Sequence, residues 1–109
     1  MTATRKVLGQ VAPAAATWTD LYTCGAAGGA VASLFSATNR SAVDTKVSMA
    51  VRKNGDALAD KHYEVCEFTV PGKDSLRHAE GFTFGTTDVV SVWCEAANIS
   101  FGLYGMEFS

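Results

Sequence analysis

Charge is scarce in this chain of 109 residues: Asp, Glu, Lys and Arg make up 18% of it, against about 25% in ordinary globular usage. With a formal net charge of −2, there is no basic stripe of the kind that neutralises a phosphate backbone, which argues against nucleic-acid binding. Apolar runs are equally short. The basic residues Arg5 and Lys6 are not followed by the roughly 7–15 apolar residues of a secretory leader. The least charged stretch, Cys24 to Asn39, is diluted by Gly, Ala and Ser and is too weakly apolar to span a bilayer. The expectation is a chain made in the cytoplasm with no membrane partner.

Metal-ligand and disulfide spacings are missing as well. The three cysteines, Cys24, Cys66 and Cys94, are isolated and odd in number, which predicts reduced, buried small hydrophobes rather than a disulfide framework. His62 and His78 have no partner at zinc-ligand spacing. The glycine cluster Gly25 to Gly29 lacks the Lys-Ser/Thr of a phosphate loop and the helix that would follow it, so it reads as a hairpin turn. No Gly-x-Ser-x-Gly elbow occurs. Glu64 and Glu67 fall on opposite faces of an extended segment, where they cannot act as a glycosidase pair. These readings predict a non-enzymatic protein with no cofactor and no metal.

Helical periodicity is absent too, and what stands in its place is alternation with a period of two. Strands are predicted over Lys6–Gln10, Thr17–Thr23, Ala30–Thr38, Thr45–Arg52, His62–Val70, Ser75–Phe84, Val89–Glu95 and Asn98–Phe108. In Thr45–Arg52, Val47, Met49 and Val51 share one face and Lys46, Ser48, Ala50 and Arg52 the other. Within His62–Val70 the apolar parity switches from Tyr63 and Val65 to Cys66, Phe68 and Val70, which predicts a bulge or a strand covered on both faces. Turns are expected at Gly25–Gly29, at Asn54-Gly55, at Pro71–Asp74 and at Gly85–Asp88. Asp56–Lys61 is the single candidate for a helical turn.

About eight short strands with regular turn signals predict one all-β domain over residues 1–109, an antiparallel β-sandwich of jelly-roll type. The last strand sets Ile99, Phe101 and Leu103 on one face and Tyr104, Met106 and Phe108 on the other, so both of its faces are expected to be covered. A lone sandwich ordinarily guards its edges and outer faces with charge. This one offers Ala, Ser, Thr and Gly, which points to surfaces shared with copies or partners. Trp18, Trp93, Tyr104, Met106 and Phe108 are the candidate interface residues, since large apolar side chains dominate buried contacts, and Trp18 and Trp93 fit a place in the core equally well.

Taken together, Val7-Leu8-Gly9-Gln10, Leu21-Tyr22-Thr23, Val47-Ser48-Met49-Ala50-Val51, Gly55-Asp56-Ala57-Leu58-Ala59-Asp60-Lys61-His62-Tyr63, Thr87-Asp88-Val89-Val90-Ser91-Val92, Asn98-Ile99-Ser100-Phe101 and Gly105-Met106-Glu107-Phe108 make the chain resemble small virion accessory proteins of tailed bacteriophages. The resemblance departs at Cys24-Gly25, where Val-Pro is more usual. It implies a structural protein of the virion: first a capsid decoration or cement protein, a homotrimer seated on junctions between major capsid subunits, and otherwise a tail, baseplate or fibre-attachment component. A third expectation is a carbohydrate-binding module that meets the host surface through Trp18, Trp93 or Tyr104. Extended ends over residues 1–6 and 107–109 are expected to be available for strand addition to a neighbour.

Overall fold

The structure, a computed structural model, describes residues 2–109. Nine strands follow the alternating segments: β1 (Ala3–Val11), β2 (Thr19–Thr23), β3 (Ala30–Asn39), β4 (Thr45–Arg52), β5 (Tyr63–Val70), β6 (Ser75–His78), β7 (Phe82–Phe84), β8 (Val89–Cys94) and β9 (Ile99–Phe108). Every pairing between them is antiparallel. One sheet runs β1-β9-β3-β6, with β7 also on β3, and the other runs β2-β8-β4-β5. The strand expected over Ser75–Phe84 is broken at residues 79–81. Its halves lie end to end on the same side of β3, β6 against Phe35–Thr38 and β7 against Ala30–Ala32. With that pair taken as one interrupted strand, the order is that of an eight-stranded jelly roll.

Alternation decides what the two sheets bury. Phe35, Leu103, Ile99 and Phe101 from the first sheet meet Val47, Met49, Val90 and Val92 from the second, all at 2% exposure or less. The Phe35 and Phe101 rings stack with centroids 6.0 Å apart. On β9 this inner set alternates with Ser100, Gly102, Tyr104, Met106 and Phe108, which face outward and are less buried except at Gly102.

Bulges adjust this plan where the alternation changes phase. Across from Ser48 on β4 stand two residues of β5, Cys66 and Glu67, because Val47 pairs with Phe68 and Met49 with Val65. Glu67 takes a positive φ of 47°, and its N–H donates to Ser48 Oγ at 2.8 Å. That is the bulge expected from the parity switch in this strand. Ser33 is the extra residue of β3 against β9, and Leu8 that of β1. At the close approaches only glycine fits. A Cβ on Gly105 would lie 2.0 Å from the Val31 carbonyl oxygen, and one on Gly9 would lie 2.1 Å from that of Leu21.

Two local expectations change. Asp56–Lys61 is not a helical turn; short 3₁₀ turns form instead at Lys53–Gly55 and Asp60–His62. Asn54 and Gly55 do take the positive φ values, 55° and 69°, that reverse the chain, but the β4–β5 connection is a long loop rather than a tight hairpin. Arg52 holds it, its guanidinium donating to the Gly55 and Asp56 carbonyls at 3.1 and 2.7 Å and to Ser91 Oγ and Asp20 Oδ1, both at 3.1 Å. The end of the sandwich is closed by Asn39, 1% exposed, whose amide nitrogen donates to the carbonyls of Val43 at 2.7 Å and Val70 at 3.0 Å.

The terminal segments expected to be extended lie in strands that pair with each other. Thr4 to Val7 lie against Glu107 to Tyr104 of β9, and Glu107 also faces Ala30 of β3; Met1 lies outside the described residues. Phe35→Ala should lower unfolding stability by about 3–5 kcal/mol, because the cavity opens at the contact between the sheets. The displacement of the denaturant midpoint, at unchanged slope, measures this.

Candidate functional site

The five residues expected at an interface divide between the two outer faces. Tyr104, Met106 and Phe108 lie outward on β9 and are partly exposed. Opposite them stand Val7 and Arg5 on β1 and Leu34 and Val31 on β3, joined through the pairs Val7↔Tyr104, Arg5↔Met106, Leu34↔Tyr104 and Val31↔Met106. Val7 is 50% exposed. The result is an apolar outer face on one half of the first sheet, and strand register alone builds it.

On the other half of that sheet the outward residues are small. Ser36, Thr38, Ser100 and Gly102 floor an open depression of about 410 Å³ beside Tyr104. The Tyr104 ring lies over Gly102, since a Cβ there would fall 2.5 Å from the phenolic oxygen and 2.8 Å from Cε2. Gln10 Nε2 donates to the same oxygen at 3.5 Å. Tyr104 is thus laid flat on the sheet and cannot reach toward the tryptophans.

Trp18 and Trp93 come together on the outer face of the second sheet. With Tyr63, Ser48, Cys66 and Glu67 they line a recess of about 240 Å³. Trp18 and Tyr63 meet edge to face at 5.6 Å between centroids. The bulge of β5 sets Cys66 and Glu67 at this recess. Alternation pointed to that bulge, but it did not bring Tyr63 and Glu67 into company with the tryptophans, because cross-strand neighbours become known only with the register. Cys24 and Cys94 are buried as expected, whereas Cys66 is exposed: the bulge turns it out of the sheet. Burial pushes the Cys94 thiol above its ordinary pKa.

A polar cluster ties the two sheets at the apolar end. The buried Tyr22 of β2 donates its hydroxyl to Glu107 Oε2 at 2.6 Å, and Lys6 Nζ donates to Oε1 at 3.0 Å. Desolvation first, and then the carboxylate it serves, hold the Tyr22 phenol above its usual range. The Tyr22 hydrogen bond first, and Lys6 second, hold the Glu107 carboxyl below its usual range. Among the described residues no three His, Cys, Asp or Glu side chains are grouped to hold a metal ion.

A carboxyl with a lowered folded pKa adds stability at pH values above the ordinary glutamate pKa of about 4.3, and that stability is lost as pH falls through the folded value. Glu107→Gln should therefore cost about 1 kcal/mol at pH 7 and close to nothing at about pH 2, read from denaturant unfolding across that range. No protein-family model matches this chain, and neither a curated protein nor a solved structure matches it.

Proposed function

We propose that this protein is a non-enzymatic structural component of a tailed-phage virion, repeated over the particle as a capsid decoration protein at junctions between major capsid subunits. The observation that carries the reading is the outer face of β1, β9 and β3, where strand register groups Val7, Tyr104, Met106 and Phe108 into a partly exposed, largely apolar surface around Arg5. Such a surface suits contact with another protein, because isolated monomers keep contiguous apolar patches small. The jelly roll also occurs in proteins outside virions, so it adds consistency without identifying the role. What adds to the reading is the resemblance carried by the segments quoted above, from Val7-Leu8-Gly9-Gln10 to Gly105-Met106-Glu107-Phe108.

The physical role follows from repetition. A packaged genome strains the seams between shell subunits, and a small clamp that touches several subunits adds weak interfaces whose effects multiply. A rotationally symmetric homotrimer offers the same surface to each subunit around a threefold position. Quantitative gel analysis of purified particles should find the protein at hundreds of copies, in fixed ratio to the major capsid protein. A few to a few dozen copies would move it to the tail or baseplate, and absence from the particle would overturn the virion role. Particles lacking it should release their genome at a lower temperature.

A second reading is favoured by the recess between Trp18, Tyr63 and Trp93, with Glu67 at its side. Aromatic faces beside a hydrogen-bonding carboxylate suit a neutral sugar, with the rings covering its C–H surface and Glu67 accepting from hydroxyls. In this reading Tyr104 has no part, since it lies on the opposite sheet. Trp93→Ala should abolish adsorption to host cells or binding to a glycan panel, with incorporation into particles unchanged. Unchanged adsorption together with lost incorporation would assign Trp93 to an architectural contact.

A further inference from the structure

We propose that copies of this chain join head to tail, the β1 edge of one docking on the β5 edge of the next. The inference rests on the assembly reading above and names the two surfaces that meet. β1 and β5 are each the outermost strand of a sheet, β1 in β1-β9-β3-β6 and β5 in β2-β8-β4-β5. The sheets stack with β1 beside β2 and β5 beneath β3, so these edges lie on opposite sides of the sandwich. One copy can therefore engage two neighbours at once.

The edges carry opposite charge. Arg5 and Lys6 stand on β1, and Glu64 and Glu67 on β5. All four residues are exposed. Lys6 is already paired with Glu107, whereas Arg5, Glu64 and Glu67 form no ion pair among the described residues. Each edge also carries one large exposed apolar side chain, Val7 at 50% and Phe68 at 47%. A strand edge is a template for further pairing, and charge on it selects the partner. Pairing β1 with β1 would bring Arg5 and Lys6 against themselves, and pairing β5 with β5 would do the same to the glutamates. Of these three pairings, the unlike one joins opposite charges with an apolar contact beside them.

The bulges of β5 shape this contact. Glu64 and the Cys66–Glu67 pair interrupt the β5 ladder, so the neighbour is held chiefly by side chains rather than by a continuous sheet. An interface made of two different surfaces is heterologous, the type that builds a closed ring when its rotation divides the circle. A homotrimer is one such ring.

Sedimentation velocity on the purified full chain tests this, at about 0.05 M and about 1 M salt. The wild type should sediment as a multimer at low salt and shift toward monomer at high salt. Arg5→Glu alone, and Glu64→Lys with Glu67→Lys, should each weaken association at least about tenfold. With Lys6 held by Glu107, all three changes in one chain exchange the signs of the unpaired charges on the two edges and should restore the multimer. Thermal melts of every variant confirm that the fold is kept. A monomeric wild type, an Arg5→Glu variant that associates as the wild type does, or a triple variant that stays monomeric would overturn the inference. Particle incorporation judges the virion reading separately: a multimer in solution that is absent from particles sinks that reading alone, and a particle protein unmoved by charge reversal sinks only the edge contact.

Discussion

The pairing of β3 with β9 is the contact on which the rest of the molecule depends. It runs from Ala30 opposite Glu107 to Asn39 opposite Ile99, and every other strand of the first sheet attaches to one of these two. Its register sends Phe35, Leu103 and Phe101 inward and Tyr104, Met106 and Leu34 outward, so the core and the apolar outer face are two results of one alignment. Gly105 makes that alignment possible, because any side chain there would collide with the Val31 carbonyl. A slip of one residue would exchange the two sets, exposing the phenylalanines and burying Tyr104 in a layer with no room for it.

Polar groups follow the same economy. Several charged side chains sit at loops, edges and seams: Arg52 braces the β4–β5 loop and reaches Asp20, and Lys6 and Glu107 lie over Tyr22 at the end of the sandwich opposite Asn39. The broad faces carry mostly small polar, aliphatic and aromatic side chains, among them Ser36, Thr38, Val31, Leu34 and Tyr104. Charge on a strand edge discourages pairing with a like-charged edge.

Most of the strand plan was legible because period-two alternation reports directly on a sheet with one buried face. Val47, Met49 and Val51 were placed correctly by that rule, and the switch between Val65 and Cys66 announced a real bulge. The break at residues 79–81 was not legible, since Phe82 and Phe84 keep the alternation of the strand before them. Asp56–Lys61 has helix-forming composition, yet Arg52 captures the carbonyls at Gly55 and Asp56, and tertiary hydrogen bonds override so weak a local preference. Of the candidate surface residues, Tyr104, Met106 and Phe108 could be grouped by spacing on one strand. That Trp18 and Trp93 share a recess with Tyr63 depends on which strands pair, and the alternation of each strand says nothing of that.

The buried amide of Asn39 has a consequence for making this protein in a foreign host. Asn39-Arg40-Ser41 forms the acceptor triplet for N-linked glycan transfer, and the nitrogen that would receive the sugar is the one that donates to the carbonyls of Val43 and Val70. Sugar attachment and this fold exclude one another at that atom. In a eukaryotic secretory pathway the enzyme and the folding chain would compete for it, and molecules glycosylated first could not close the end of the sandwich.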